Sequence, residues 1–241
     1  VIGVIDVNTD YFPKRLKDEF YRDGAQGPAN AKHWAPFVYD PVTDEWKLHH
    51  PTGAVLRGKG SHAVFYSPKL KRIVAVSADS LHEYAMDREE WIKRPVQNTA
   101  KVGYSIGCYD TKRDRIIFAG TGPAGNTKDA PGALGALDVC GGEVTPLNGE
   151  GLVAGFGALD WMSGPNLMYD AANDAVVLTV WSERLQGMYI YDCATDRWLP
   201  KRALGIPPRR WQIWSGFYVP ELNVHIFHES MDSGFTDRIL A

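Results

Sequence analysis

Tyr39-Asp40-Pro41-Val42-Thr43-Asp44-Glu45-Trp46 and Tyr191-Asp192-Cys193-Ala194-Thr195-Asp196-Arg197-Trp198 share the pattern Y-D-x-x-T-D-x-W position for position. A third copy is degenerate: Tyr84 and Trp91 keep the same seven-residue offset around Met86-Asp87-Arg88. A fourth, from Leu137-Asp138 to Val144, keeps the offset and carries Gly141-Gly142 in the turn. Each copy reads as a hairpin. An aromatic ends one strand, Asp and Thr side chains reverse the chain by bonding to its backbone, and the Trp opens the next strand. The Tyr and Trp rings are large enough to fill the space between neighbouring repeats.

A second hairpin precedes every copy except the first. Ser61 to Ser77, Ser105 to Ala119, Pro165 to Val180 and Trp214 to Glu229 superimpose on Tyr66, Tyr109, Tyr169 and Tyr218. In each, an apolar strand reaches the tyrosine, a polar turn of about six residues follows, and a second strand begins. The tyrosines stand 43, 60 and 49 residues apart, which brackets the roughly 40 to 50 residues of a propeller blade. Two hairpins per unit make four strands, and such sheets bury their flat faces by stacking radially. The expected fold is therefore all-β: a β-propeller of four-stranded antiparallel blades at about 1–50, 60–97, 102–148, 163–202 and 212–241. Three blades are expected to be complete, the first to lack its innermost strand and the last its outermost. The expected domain is one propeller over 1–241, truncated at both ends and part of a six- or seven-bladed ring.

The Y-D-x-x-T-D-x-W tail resembles the kelch repeat, found also in the propeller of galactose-oxidase-like proteins. The family's Gly-Gly doublet at the end of the second strand is replaced here by Ser77-Ala78, Gly120-Thr121, Trp181-Ser182 and Glu229-Ser230, so the resemblance is to a divergent relative. A galactose-oxidase type of copper site would need two tyrosines, two histidines and a cysteine crosslinked to one tyrosine. Cys108 falls mid-strand and Cys140 and Cys193 in outer turns, so no cysteine reaches the expected site face, and no metal or other cofactor is expected.

Composition narrows the function. The chain has 26 basic and 29 acidic residues and a formal net charge of −3, which provides no broad positive field for phosphate backbones, so no nucleic-acid partner is expected. No apolar run approaches the roughly 18 residues of a spanning helix, and no membrane partner is expected. Three cysteines outside any C-x-x-C pair suit small buried residues better than a disulfide framework or zinc. His49-His50 is an adjacent pair whose rings diverge, and Pro123 spoils Gly120 to Gly125 as a phosphate cradle.

In a propeller, the loops between blades and those joining second to third strands open on one face, around the central channel. On that face the sequence places His62, Tyr104, Ser105, Trp214 and Arg209-Arg210 at innermost-strand entries. From second-to-third loops come Asp79, His82, Trp181 with Glu183 and Arg184, and His228 with Glu229. The insertion Asn8 to Lys32 joins them. Trp faces stack on pyranose rings and Arg pairs with carboxylate or sulfate, so the set points to a glycan or small polar ligand. His62 or His82 with Tyr104 would supply general acid and base for a polysaccharide lyase or hydrolase. Trp46, Trp91 and Trp198 are expected in blade packing. The competing functions are a kelch-type scaffold for a protein partner and a structural subunit of a larger assembly. An extracytoplasmic or secreted setting is the one a glycan ligand favours.

Overall fold

The computed structural model describes residues 2–6, 34–54, 63–76, 80–98, 106–121, 132–148, 166–181, 186–199, 212–230 and 238–240 of the chain. They are strands and turns, with no helix among the described residues, hence none long and apolar enough to cross a membrane. The chain divides into two compact units, Val1–Val96 and Gln97–Ala241.

In the first unit, β1 (Ile2–Asp6), β2 (Trp34–Asp40) and β3 (Glu45–Leu48) form a three-stranded antiparallel sheet. The second sheet contains β4 (Thr52–Gly53), β5 (Ala63–Ser67), β6 (Arg72–Val76), β7 (Ser80–Ala85) and β8 (Glu90–Pro95), in the order β4-β8-β7-β6-β5. Strands β5 to β8 are an antiparallel meander, and β4 adds to β8 in parallel.

The second unit holds three sheets. β9 (Ile106–Asp110), β10 (Arg115–Thr121), β11 (Gly132–Asp138) and β12 (Val144–Leu147) form one four-stranded sheet. β13 (Asn166–Asp170), β14 (Ala175–Trp181), β15 (Gln186–Asp192) and β16 (Arg197–Trp198) form another. β17 (Gln212–Val219), β18 (Val224–Ser230) and β19 (Arg238–Leu240) complete a three-stranded sheet. The expected strand inventory thus appears, with a first sheet that starts at the second strand and a last one that stops at the third.

One turn serves both hairpins of the repeat. It spans four residues rather than about six: 41–44, 68–71, 86–89, 111–114, 171–174, 193–196 and 220–223. The last residue of each is left-handed, with φ from 50° to 56° at Asp44, Lys71, Glu89, Asp114, Asp174, Asp196 and Asn223. Asp and Asn tolerate that conformation better than other non-glycine residues, and Gly142 occupies the corresponding place after β11 at φ 72°. The Asp that ends the incoming strand accepts backbone N–H groups from the turn: Val42 to Asp40 at 2.8 Å, Ala194 and Thr195 to Asp192 at 2.8 and 3.2 Å, Lys112 to Asp110 at 3.1 Å.

A second clasp spans the turn. The Tyr before that Asp donates its hydroxyl to the left-handed residue: Tyr39 to Asp44 at 2.8 Å, Tyr169 to Asp174 at 3.0 Å, Tyr218 to Asn223 at 2.9 Å, and likewise Tyr109 to Asp114 and Tyr191 to Asp196. The Y-D and D of the motif are therefore two halves of one hydrogen-bonded device. The chain leaving one sheet then lands on the same left-handed residue of the next: Thr52 N donates to Glu89 O at 2.8 Å, Gln97 N to Gly142 O at 2.8 Å, and Asn148 N to Asp196 Oδ1 at 3.0 Å. The first of these landings requires glycine, because a Cβ on Gly53 (φ 81°) would lie 2.5 Å from Trp91 O.

The core lies between sheets. In the second unit, Cys108, Ile117, Ala119, Leu134 and Ala136 of the third sheet pack against Leu167, Tyr169, Val176, Leu178, Tyr191, Cys193 and Trp198 of the fourth. In the first unit, Ile73, Ala75, Tyr84 and Trp91 form a smaller cluster. Trp91 and Trp198 are buried as expected; Trp46 is not, at 63% exposed.

Candidate functional site

Each complete sheet of the second unit has two unlike ends. At one end the hairpins close through clasped turns. At the other the strands run out where the chain passes into residues 122–131 and 182–185. Arg113, in the β9–β10 turn, donates twice to Asp174 in the β13–β14 turn at 2.7 Å. His225, near the start of β18, meets Asp170 at the end of β13 at 3.2 Å. These contacts hold the turn ends of the third, fourth and fifth sheets together, with β13 beside both β9 and β17. Their open ends consequently share the other side of that unit.

At the open ends lie four of the sequence-selected residues. Trp181 is the last residue of β14 and pairs with Gln186. Trp214 sits where β17 breaks register between Ile213 and Ser215. His228 pairs with Ser215 and Ile239, and Glu229 with Ile213 and Arg238. Trp181, His228 and Glu229 thus lie in strand ends and not in the second-to-third loops where they were expected, because β14 and β18 keep pairing with β15 and β19 as far as Gln186 and Arg238.

His82 departs further from expectation. It lies inside β7, between Ala75 and Lys93 in register, 4% exposed, with its ring edge-on to Trp91 at 6.5 Å. The sequence Ser80-Leu-His-Glu-Tyr reads as too polar for a buried strand. Glu83 is nevertheless enclosed there because Arg72 of β6 and Arg94 of β8 both bind its carboxylate, which supplies the pairing a buried charge requires. His62, Tyr104, Ser105, Glu183, Arg184, Arg209, Arg210, Asp79 and the insertion Asn8 to Lys32 lie outside the described residues.

The charged residues with the most elaborate partners were not picked out by sequence. Asp174 receives Arg113, Lys112 (2.7 Å) and the Tyr169 hydroxyl. The Arg113 hydrogen bonds above all hold its carboxyl well below the usual carboxylate range, and the same pairing raises Arg113. Burial works to raise Asp170, but hydrogen bonds from Asn173 and His225 outweigh it and leave the carboxyl below its ordinary value. In the first unit, His49 Nδ1 and the Tyr84 hydroxyl share a hydrogen bond of 2.9 Å, with Glu89 at 3.4 Å from the same nitrogen. Burial lowers His49, and burial raises the Tyr84 phenol. Tyr84 thus turns to a histidine of the preceding sheet where its sisters use the left-handed Asp. The only sequence signal for these joints is the recurrence of Asp at the left-handed position.

These joints pin sheet to sheet within each unit. Burial also raises the Cys108 thiol well above its ordinary value and pushes Cys193 up to about 12, which disfavours the thiolate at both. Among the described residues no group of three or more His, Cys, Asp or Glu could hold a metal ion.

No protein-family model matches the sequence, and no curated protein matches it. Solved structures do. An oligogalacturonate lyase in complex with manganese aligns at TM-score 0.52 and 13% identity over 86% of this chain and 55% of its own. TolB from Acinetobacter baumannii aligns at TM-score 0.51 and 13% identity over 93% of this chain and 54% of its own. The fold is a β-propeller. Its second, third and fourth blades are complete and its first and last are three-stranded among the described residues. At this identity the likeness carries the fold alone. The chain spans about half the length of these two propellers.

Proposed function

We propose that this is a ligand-binding propeller that recognises a glycan, an acidic one foremost, at the open end of its fourth and fifth blades. The observation that carries the reading is the presence of Trp181 and Trp214 in neighbouring blades on the side away from the clasped turns. Indole faces stack on sugar rings, and the residues beside them in sequence, Glu183-Arg184 and Arg209-Arg210, are of the type that pairs with carboxylate and orients it. The likeness to a propeller that acts on oligogalacturonate supports the choice of an acidic sugar. Cleavage is the finer form of this proposal, with His62 and Tyr104 as the acid–base pair. The kelch-like tail supports counting the chain as a divergent kelch or galactose-oxidase-like propeller.

Calorimetric titration with oligogalacturonides and neutral oligosaccharides tests it. Trp181→Ala and Trp214→Ala are each expected to weaken binding about tenfold or more, equivalent to at least ~1.4 kcal/mol, while Trp46→Ala leaves it unchanged. If no oligosaccharide binds and a protein co-purifies with the chain, the proposal fails and the scaffold function takes its place. TolB is a propeller of the same fold for that comparison. If a glycan is cleaved, but equally well by a His62→Ala, Tyr104→Phe double variant, the acid–base assignment is wrong.

A further inference from the structure

The interface between the fourth and fifth blades is built unlike the one before it. Leu167, Tyr169, Val176 and Leu178 of the fourth blade pack on the third. Side chains alternate along a strand, so the positions between them face the fifth blade, as Asp170 does when it meets His225 of β18. Thr179 of β14 is one of these. It stands opposite Asn166 of β13 and Met188 of β15, is 2% exposed, and its hydroxyl has no hydrogen-bond partner.

The sister blades fill the same place with apolar side chains. Ten residues after the hairpin tyrosine, Val76 of the second blade and Ala119 of the third are 2% and 0% exposed. Their register partners on the innermost strand are Ala63 and Ile106, where the fourth blade has Asn166. A buried hydroxyl without a partner costs stability, and valine has the same shape without that cost. A polar group kept against the pattern of its own repeat marks a place that serves something other than packing. Across the interface, the β18 positions in phase with His225 are Phe227 and Glu229, the latter paired in register with Arg238. Thr179 is two residues short of Trp181 on β14, about 7 Å of strand.

This interface is also tied more lightly at its turn end. Arg113 and Lys112 of the third blade bind Asp174 of the fourth at 2.7 Å, whereas His225 and Asp170 meet at 3.2 Å between the fourth and fifth. We infer that the open ends of the fourth and fifth blades yield to admit a hydroxyl group of the ligand between them, with Thr179 as its buried hydrogen-bond partner and Asn166 beside it. The inference rests on the glycan reading above and adds a subsite to it: the sugar ring stacked at Trp181 and Trp214 turns one hydroxyl into the crevice. A sugar hydroxyl suits the place because it both donates and accepts, as the threonine hydroxyl and the asparagine amide do. It is uncharged, and so costs less to desolvate than the carboxylate of the same sugar.

Thr179→Val and Thr179→Ser, read by thermal denaturation and by calorimetric titration with trigalacturonate, test it. Thr179→Val is expected to raise the Tm of the free protein by about 2 °C or more and to weaken trigalacturonate binding about fivefold to tenfold. Thr179→Ser keeps the hydroxyl but loses a buried methyl, so it is expected to lower Tm while binding stays within about twofold of wild type. A group that serves packing alone cannot give these opposite orders of stability and affinity. A Tm that falls in Thr179→Val places the hydroxyl in the service of the fold and overturns the inference. Unchanged affinity in Thr179→Val, with Trp181→Ala weakened, also overturns it and leaves the glycan reading standing. If trigalacturonate does not bind the wild-type protein, the glycan reading fails and the subsite falls with it.

Discussion

The Tyr39–Trp46 tail of the first blade and the Tyr191–Trp198 tail of the fourth have the same motif, the same four-residue turn and the same left-handed Asp, with φ 56° at Asp44 and 54° at Asp196. They differ in what lies against them. Trp198 is packed among apolar side chains of the third blade, while Trp46 looks outward. The turn is thus a local property that a blade keeps whether or not its face is covered. Burial of the aromatic pair is a property of the neighbour.

The largest expected difference between the two tails follows directly. Trp198→Ala removes a buried ring and should cost ~3–5 kcal/mol in urea unfolding, with a cavity left between blades. An effect below ~1 kcal/mol would mean that the Tyr191 face is not packed as described.

Acid titration separates the joints from the turns. The Asp174 carboxyl is held below its ordinary range, first by Arg113. Its pairing therefore stabilises the fold fully above the unfolded-state pKa of about 3.9 and is lost as pH falls below that value. The wild-type chain should lose stability progressively from about pH 4 downward, and Asp174→Asn should flatten that loss by on the order of 1 kcal/mol. Equal acid sensitivity of the two proteins in pH-dependent unfolding would remove this joint from the account.

At the left-handed Asp the two tails share the turn but not every bond. Asp44→Ala and Asp196→Ala each force a residue with a Cβ and no bonding side chain into positive φ and delete the Tyr clasp, for about 1–2 kcal/mol, and Asp196→Ala also loses the bond from Asn148 N, for about 1 kcal/mol more. Asp44→Gly and Asp196→Gly avoid the backbone strain, and each should cost less than the matching alanine. A thermal-denaturation series in which Asp44→Ala costs more than Asp196→Ala would break the view that the turn is local. The smallest effect is expected for Trp46→Ala, within ~0.5 kcal/mol in residues 1–241.

Much of the blade was legible in sequence for the reason the turn comparison gives. Strand–turn–strand order, the aromatic at the strand end and the Asp at the reversal are fixed by contacts within about eight residues, and chemistry at that range repeats with the motif. His82 was not legible. Its strand is polar on paper and becomes buried only because Arg72 and Arg94 arrive from strands on either side to neutralise Glu83. The extents of β14 and β18, which turn Trp181, His228 and Glu229 into strand residues, likewise depend on partners in β15 and β19. Trp46 was expected to be packed because its motif is that of Trp198, and a motif does not state which sheet stands next to it.

The amino-acid order by itself determined the repeat, the all-β class, the hairpin turns and the identity of the rings that face a neighbour, because each is specified by hydrogen bonds and backbone sterics inside a short stretch. Only the tertiary structure decided which rings are covered, that Arg113, His49 and His225 bridge one blade to the next, and that Trp181 and Trp214 share the end away from the clasped turns. Those outcomes depend on groups 35 to 61 residues apart meeting, and no local rule of strand or turn formation encodes such a meeting.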